Sequence, residues 1–321
     1  MLRVHLQLPV LRVDDVPTPE PGPGEVRVRL ETSGVNPSDV KSRLGLTRKM
    51  AFPRVIPHSD GAGSIEAVGD GVPKSRVGER VWVWNGQWKR AFGTAAEHIV
   101  LPSVQAVHLP DKTSFEAGAC LGIPAMTAFH AVELAGTKKD TTLLVAGGAG
   151  SVSQYVIEFA KARGARVITT ISSPEKAKIA KESGADLTVD YKREDVGARV
   201  AEFTDKHGVD AIIEMDIAAN AKLIPNLLKP RGSVIIYGTG AFDATIPAQW
   251  CLVNSIRLQF FLVYELDPVR REHVVHAINR ALEQGILRNR VAEPIPLEKI
   301  VQAHQAVENG SAAGNVIVKL R

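Results

Sequence analysis

The chain has 321 residues, of which 45% are hydrophobic and 23% are charged, and its formal net charge is +4. This composition is ordinary for a globular protein and excludes the disordered and fibrous classes. At roughly 100–200 residues per domain, the length predicts two domains, each able to bury a hydrophobic core. Lys and Arg are scattered along the chain, which favours small anionic ligands over a nucleic-acid partner.

The cysteine content and the apolar runs narrow the class of protein further. Only Cys120 and Cys251 are present, which excludes a disulfide framework and a four-cysteine zinc site. No stretch reaches about 18 clean apolar residues, so no membrane span is expected. The first ten residues, MLRVHLQLPV, lack the features of a signal peptide and are interpreted as a first strand. The expected location is the cytoplasm.

Residues 1–118 have the pattern of a mainly β domain. Glu25–Leu30 alternates polar and apolar side chains, as a half-buried strand does. Further short strands, separated by Gly and Pro, are predicted at Gly63–Val68, Arg80–Trp84 and Ala96–Val100. We therefore expect a compact barrel or sandwich.

Residues 119–258 alternate short apolar strands with helical patterns, which indicates an α/β domain with a parallel, doubly wound sheet. In the segment that leads into this domain, Ser114 is predicted to cap a short helix and Pro124 to open a longer one. The predicted strands are Thr142–Val145, Ala165–Ile171, Leu187–Val189, Val209–Glu214 and Ser233–Tyr237. Residues 259–321 carry too little for a domain of their own, and we expect them to rejoin the β domain.

The segment Val145–Ser153 (VAGGAGSVS) follows a predicted strand and opens a predicted helix, as a dinucleotide-binding loop does. Gly148 is assigned to the tight turn and Gly150 to the place where the backbone approaches a pyrophosphate. Ser151 and Val152 add N–H groups at the positive end of the helix dipole. A glycine-rich turn without a ligand is the alternative, but the surrounding βαβ pattern favours cofactor binding.

The second strand of this domain, which is the first after the loop, favours NADPH over NADH. An NAD site holds the ribose 2′-hydroxyl with Asp or Glu about 20 residues after the loop, whereas this strand ends in Ser172 and Ser173. Ser173 is also a helix cap, which puts Lys176 in the first turn, where a cation opposes the helix dipole unless an anion binds. Glu175 is a counter-signal, because a carboxylate repels a phosphate. A solvated surface lysine is the alternative reading of Lys176.

Two residues after a later strand complete the candidate cofactor site. Gly238 and Thr239 follow Ser233–Tyr237. Ligands of parallel sheets lie beyond the carboxyl ends of the strands, so Gly238 is expected to let the cofactor ribose or nicotinamide approach.

Several segments together carry a family resemblance: Gly34–Asp39 (GVNPSD), Ile56–Gly63 (IPHSDGAG), Val77–Val81 (VGERV), the glycine-rich loop, Asp190–Tyr191 and Gly314–Val318 (GNVIV). Over nearly its whole length the chain resembles the medium-chain dehydrogenase/reductase superfamily, in its zinc-independent quinone oxidoreductase (zeta-crystallin-like) branch. The resemblance implies a Rossmann domain at residues 119–258. It also implies a GroES-like substrate domain formed by residues 1–118 together with 259–321.

The resemblance also bears on metal chemistry. Zinc alcohol dehydrogenases of the superfamily carry Cys where Asn36 stands and His where Ser59 stands, and neither Asn nor Ser is a competent zinc ligand at neutral pH. His58 with Asp39 and Asp60 makes an incomplete ligand set. We therefore expect no metal. The reaction expected is hydride transfer from NADPH to a quinone or an activated enone or enal, which needs no Lewis acid and for which the zinc-free branch is known.

By resemblance, the turn after Glu25–Leu30 faces the nicotinamide. Asn36 is expected to hydrogen-bond an acceptor carbonyl or the cofactor amide, with an Asx turn as its alternative role. Asp39 is expected to hold this turn or the cofactor domain. Thr127 contacts the nicotinamide end or, alternatively, its own helix backbone. Tyr191 stacks or bonds near the 2′-phosphate, or is a surface tyrosine.

The segment Ile256–Tyr264 (IRLQFFLVY) is predicted to be an apolar strand at the end of the parallel sheet. An exposed strand of this kind invites pairing with another chain. Pairing with its own copy across a two-fold axis would cover it, and the resemblance implies such a homodimer.

Two alternative functions stay open. A zinc-free enoyl-thioester reductase needs a basic groove for a long phosphorylated carrier, and the sequence shows no such cluster. A non-catalytic NADPH-binding regulatory or RNA-binding protein is the second alternative, and the scattered charge argues against it.

Overall fold

The computed structural model describes residues 10–46, 50–310, 312 and 314–321. Residues 1–9, where a first strand is predicted, lie outside this part of the chain. The chain divides into two compact units: the first consists of Met1–Ile123 and Arg290–Arg321, and the second of Pro124–Asn289. Among the described residues, no helix is long and apolar enough to span a bilayer.

The strands are β1 (Glu25–Val35), β2 (Asp60–Val68), β3 (Arg80–Val83), β4 (His98–Pro102), β5 (Ala106–His108), β6 (Thr142–Val145), β7 (Arg166–Ile171), β8 (Leu187–Asp190), β9 (Val209–Glu214), β10 (Leu228–Ile236), β11 (Arg257–Phe260), β12 (Ile295–Pro296) and β13 (Val316–Lys319). The α-helices are α1 (Pro37–Arg43), α2 (Phe115–Gly118), α3 (Met126–Leu134), α4 (Ser151–Ala162), α5 (Pro174–Glu182), α6 (Val196–Phe203), α7 (Ile217–Asn220), α8 (Ile224–Leu227), α9 (Ala248–Val253), α10 (Pro268–Glu283) and α11 (Ile300–Glu308).

A mainly antiparallel sheet forms the first unit, with strand order β12-β13-β1-β2-β3-β5 and with β4 also pairing with β1. The alternation read from the sequence puts Val26, Val28 and Leu30 of β1 on one face, and all three are fully buried. Ile300 and Ala303 of α11 belong to the same hydrophobic core. The predicted β domain is confirmed, and β1 runs on beyond Leu30 to Val35.

The second unit contains a six-stranded parallel sheet with the order β11-β10-β9-β6-β7-β8. This is the Rossmann order, in which two βαβαβ halves meet between β6 and β9 and ligands bind beyond the carboxyl ends of the strands. All four residues of β6 are buried, as in parallel strands that helices cover on both faces. The predicted α/β class is confirmed, and the glycine-rich loop after β6 lies where the strand order reverses.

Pro124 does not open the longer helix, which corrects the sequence prediction. It lies inside a π-helical turn, Leu121–Ala125, and α3 begins at Met126. Proline lacks an N–H and its ring obstructs the preceding turn, so it interrupts the regular helical hydrogen bonding.

The structural division of the chain differs from the expected domain boundaries at residues 118 and 258. The chain passes from the first unit to the second after Ile123 and returns after Asn289. Residues 259–289 therefore belong to the second unit, where α10 packs against α3. The α10 side chain of Arg271 also donates to the carbonyls of Tyr264 and Leu266, both at 2.9 Å. A helical pattern alone does not show against which domain a helix packs.

Candidate functional site

The glycine-rich loop joins β6 to α4 through positions that have no room for a side chain. Gly147 has a φ of +65°, which L-residues rarely adopt, and a Cβ on Gly148 would lie 2.2 Å from Thr169 Oγ1. The tight turn thus falls on Gly147, which the sequence analysis did not single out, and Gly148 allows the loop to approach β7 closely. Gly150 stands at the N-cap of α4.

The first turn of α4 provides the groups that bind anions at a helix N-terminus. Ser151 and Val152 are partly exposed there, and their N–H groups have no carbonyl partner inside the helix. Ser153 is 1% exposed, and its hydroxyl donates to the Ala146 carbonyl at 2.8 Å. Tyr237 Oη lies 3.4 Å from the same hydroxyl, and burial raises the pKa of Tyr237. This second contact was not foreseen from the sequence.

The ends of β7 and β8 bring the expected 2′-phosphate residues to one edge of the sheet. Ile171 pairs with Asp190, so Ser172 and Tyr191 follow neighbouring strand ends. The Tyr191 N–H donates to the Ile171 carbonyl at 3.1 Å, and its side chain is 54% exposed.

The start of α5 places a cation and an anion side by side. Ser173 caps the helix, with its Oγ accepting the Lys176 N–H at 3.4 Å. A hydrogen bond from the Ser173 side chain lowers the pKa of the exposed Glu175 carboxyl, which is therefore ionised at neutral pH. Among the described residues Lys176 forms no ion pair. Lys176 thus remains available to an anion, and Glu175 opposes that anion.

Gly238 and Thr239 follow β10, one strand beyond the point where the order reverses. A Cβ on Gly238 would lie 2.3 Å from the Met215 carbonyl oxygen, so this position has to be glycine. Thr239 is exposed, and its hydroxyl donates to the Ala241 carbonyl at 2.8 Å.

A polar cluster at the end of β9 was missed from the sequence. Glu214 is 3% exposed and accepts hydrogen bonds from Asp216 N at 2.6 Å and Asn220 Nδ2 at 3.0 Å. Burial raises the pKa of Glu214. The available signal was a polar run directly after an apolar strand, since such residues meet at the ligand-binding edge of a parallel sheet.

In the first unit, Asn36 and Asp39 form a capping box at the start of α1. The Asn36 N–H donates to Asp39 Oδ2 at 2.7 Å. Both residues are buried. Asp39 therefore holds the turn that carries Asn36, as one of its two expected roles requires.

Asp60, which the sequence analysis treated only as an incomplete metal ligand, contacts Asn36 directly. Its Oδ2 accepts the Asn36 Nδ2–H at 2.8 Å, although 24 residues separate the two along the chain. Burial raises the pKa of the Asp60 carboxyl well above its usual range, and the nearby Asp39 adds to the shift.

The residues around Ser59 do not fit a zinc site. The neighbouring His58 uses both ring nitrogens for hydrogen bonds, with Ser33 Oγ and with His304 Nε2, each at 2.9 Å. The Asn36 amide is held by Asp60. Among the described residues, no group of three or more His, Cys, Asp or Glu side chains could hold a metal ion.

Thr127 lies in the second unit, at the second position of α3. Its side chain is buried, being 4% exposed. No hydrogen bond of its side chain is found within the described part of the chain, so the alternative role of bonding to the helix backbone gains no support.

Comparisons with known proteins agree with this geometry. Residues 22–111 match the family model "Alcohol dehydrogenase GroES-like domain", and residues 151–280 match "Zinc-binding dehydrogenase". A quinone oxidoreductase of Pseudomonas aeruginosa is 30% identical, covering 96% of this chain and 95% of the relative. The human quinone oxidoreductase is 28% identical, covering 95% of this chain and 92% of its own.

Two solved structures extend the comparison to the fold. A protein described as an NAD-dependent alcohol dehydrogenase has a TM-score of 0.89 at 29% identity, over 97% of this chain and 96% of the other. A mycobacterial protein complexed with NADPH has a TM-score of 0.86 at 28% identity, with the same coverage of both chains.

Proposed function

Because the chain belongs to the quinone oxidoreductase branch of the medium-chain dehydrogenase/reductase superfamily, we propose that it is an NADPH-dependent, zinc-independent reductase that transfers hydride to a quinone or to an activated enone or enal. The observation that carries the cofactor choice is the edge formed by β7 and α5. Ser172, Ser173 and Lys176 stand there, and no carboxylate ends the strand. A 2′-phosphate suits these donors better than a 2′-hydroxyl does.

The second unit holds the cofactor with groups that the fold provides. The N–H groups of Ser151 and Val152 bind the pyrophosphate, which Gly148 and Gly150 allow to approach the backbone. Tyr191 borders the 2′-phosphate, and Gly238 and Thr239 border the ribose and nicotinamide. Bound NADPH supplies the hydride.

Asn36 acts on the acceptor by donating an amide N–H to its carbonyl oxygen. Negative charge develops on this oxygen as the hydride arrives at carbon, and a fixed donor stabilises that charge. Asp39 keeps the turn in place. Thr127 contacts the nicotinamide end of the cofactor. Most of the rate enhancement comes from the orientation of two bound partners.

Zinc independence is supported by the chemistry of the donors. Asn36 and Ser59 are neutral, and His58 is committed to two hydrogen bonds in a buried environment. A quinone or an activated enone accepts hydride with one hydrogen-bond donor on its oxygen, whereas alcohol oxidation has to remove a proton as well.

The test is NADPH oxidation, followed by absorbance with a metal chelator present, against a benzoquinone, an enal, an enone and a saturated aldehyde. We expect turnover of the first three and not of the aldehyde, undiminished by the chelator. Loss of activity with the chelator would refute zinc independence. Binding of NADPH without turnover of any acceptor would favour a thioester substrate or a non-catalytic role.

The edge of the parallel sheet supports a homodimer. β11 is shorter than the predicted strand, ending at Phe260, and among the described strands it pairs only with β10. Phe260 and Leu262 are 61% and 48% exposed. Phe260→Glu should convert a dimer into a monomer in light scattering, whereas a wild-type protein that is monomeric at micromolar concentration would refute the assignment.

A further inference from the structure

The Asp60 carboxyl group is held in one place by one backbone N–H and one side-chain amide. Ile123 N–H donates to both of its oxygens, at 2.9 Å and 3.0 Å, and Asn36 Nδ2 donates to Oδ2 at 2.8 Å. A Cβ on Gly122 would lie 2.1 Å from Oδ1, so the carboxyl occupies space that only glycine leaves open. Asp60 itself is fully buried.

The main-chain carbonyl of Asp60 ends a chain of buried hydrogen bonds. Thr94 Oγ1 donates to this carbonyl at 2.6 Å, and Ser33 Oγ lies 2.8 Å from Thr94 Oγ1. His58 Nδ1 lies 2.9 Å from Ser33 Oγ, and His58 Nε2 lies 2.9 Å from His304 Nε2. Four side chains therefore support the backbone of a single residue.

The number of protons fixes the direction of this chain. A hydroxyl has one hydrogen, so Thr94, which donates to Asp60, accepts from Ser33. Ser33 then accepts from His58 Nδ1–H, which leaves His58 Nε2 as an acceptor for His304 Nε2–H. Burial lowers the pKa of both histidines, in agreement with two neutral rings. All four donors point towards Asp60, so the chain braces its backbone and carries no proton away.

The Asn36 amide is oriented from two sides. Its oxygen takes part in the capping box with Asp39, and its nitrogen donates to Asp60 Oδ2. An amide has two N–H groups, and Asp60 takes one of them. The orientation that satisfies both contacts leaves the second N–H as the only donor of this side chain for another partner.

We propose that Asp60 is a positioning residue for acceptor reduction: its braced carboxyl fixes the Asn36 amide so that an N–H, and not the carbonyl oxygen, is presented to the acceptor. This inference rests on the proposed function, since it assumes that Asn36 donates to the acceptor. Asp60 itself does not touch the acceptor.

Asp60→Ala tests the inference because it removes both carboxyl oxygens and adds no bulk. The Asn36 amide then loses the contact that fixes its nitrogen. Asp60→Asn would not test the inference, because one oxygen in the place of Oδ2 accepts from both Ile123 N–H and Asn36 Nδ2. We expect kcat for quinone to fall at least about tenfold, since loss of an oxyanion donor costs this much or more. The KM for NADPH should stay within about twofold, because the cofactor-binding loop is untouched.

The reversed pair Asn36→Asp/Asp60→Asn separates positioning from folding. The carboxylate introduced at position 36 accepts from the new amide at position 60, and aspartate is itself a good N-cap. The fall in thermal midpoint in Asp60→Ala should therefore be reversed. The outward atom at position 36 is now an oxygen, so kcat should stay low.

Recovery of kcat in the reversed pair would overturn the proposal, as would wild-type kcat in Asp60→Ala. The reversed pair keeps the test decisive if Asp60→Ala alone does not fold. Absence of quinone turnover by the wild-type protein would instead refute the proposed function.

Discussion

The glycine-rich loop of the second unit and the buried polar group around Asp60 in the first unit both hold chemical groups in fixed positions, but they do so by different means. The loop works through backbone N–H groups and missing Cβ atoms, all within residues 146–153 and the strand beside them. The group around Asp60 works through side chains that are 24 to 246 residues apart. The first is a local property of the chain, and the second exists only after folding.

This difference separates two kinds of sensitivity to mutation. In the loop, a Cβ on Gly147 would lie 2.7 Å from Met215 Sδ and one on Gly148 would lie 2.2 Å from Thr169 Oγ1, so steric changes should dominate. Around Asp60 the space is filled already, so changes of charge and of donor or acceptor character should dominate.

The largest effect on cofactor affinity is expected for Gly148→Ala, which tests whether the loop is sensitive to added volume. The new Cβ would lie 2.2 Å from Thr169 Oγ1 and has to displace the loop. Overpacking costs about 1–3 kcal/mol, and if all of it falls on the bound state the affinity for NADPH weakens roughly 5- to 150-fold. Fluorescence titration measures it. Gly136→Ala, whose Cβ meets nothing within 4 Å but whose φ is +63°, is the control for backbone strain outside the loop: it should lower the thermal midpoint and bind NADPH normally.

The second-largest effect concerns pH and tests whether the buried polar group around Asp60 is sensitive to a change of charge. Burial, with a smaller contribution from Arg43, lowers the pKa of His304 to about 4. Between that value and the usual 6.5, the unfolded chain binds a proton that the folded chain does not, so the free energy of unfolding falls as the pH drops. Gln in place of His304 keeps a donor for His58 and does not titrate.

When the pH falls from about 7.5 to about 5, the free energy of unfolding should therefore fall by about 2 kcal/mol less in His304→Gln than in the wild type. Urea unfolding at both values measures this. His58 titrates in the same direction and remains in both proteins, and Glu308 is held by Arg43 in both. His276→Gln, at an exposed position, is the control. Equal pH dependence in wild type and variant would show that His304 is not the group responsible.

The same comparison explains what the sequence could predict. The parallel sheet, the loop and the cap at Ser173 follow from local periodicity and residue type, and the structure has all three. Gly147 was missed because two adjacent glycines fit the motif and only φ distinguishes them. The contacts of Asp60 with Asn36 and Ile123 were missed because no local pattern predicts pairing at such separations. Residues 259–289 were expected in the β domain and lie in the second unit, because no local pattern shows against which domain a helix packs.

A smaller effect sharpens the assignment of the 2′-phosphate edge. Lys176→Ala removes a cation that has no partner among the described residues, and hydrogen bonds to charged groups are worth enough to weaken NADPH binding about tenfold. NADH has no 2′-phosphate, so its affinity should not change. Lys178→Ala, at an exposed position of the same helix, is the matched control. An equal loss for both cofactors would place Lys176 away from the 2′-phosphate.

The smallest effect is expected at the neighbouring anion. Glu175 is ionised and exposed beside Ser173, so it repels a bound 2′-phosphate through screened, surface electrostatics. Glu175→Gln should tighten NADPH binding about two- to threefold at low salt and less at high salt. Glu182→Gln, at the far end of α5, should leave the affinity unchanged. If Glu175→Gln instead weakened NADPH and left NADH alone, the carboxylate would be an acceptor for the cofactor, and this edge of the sheet would recognise a hydroxyl as well as a phosphate.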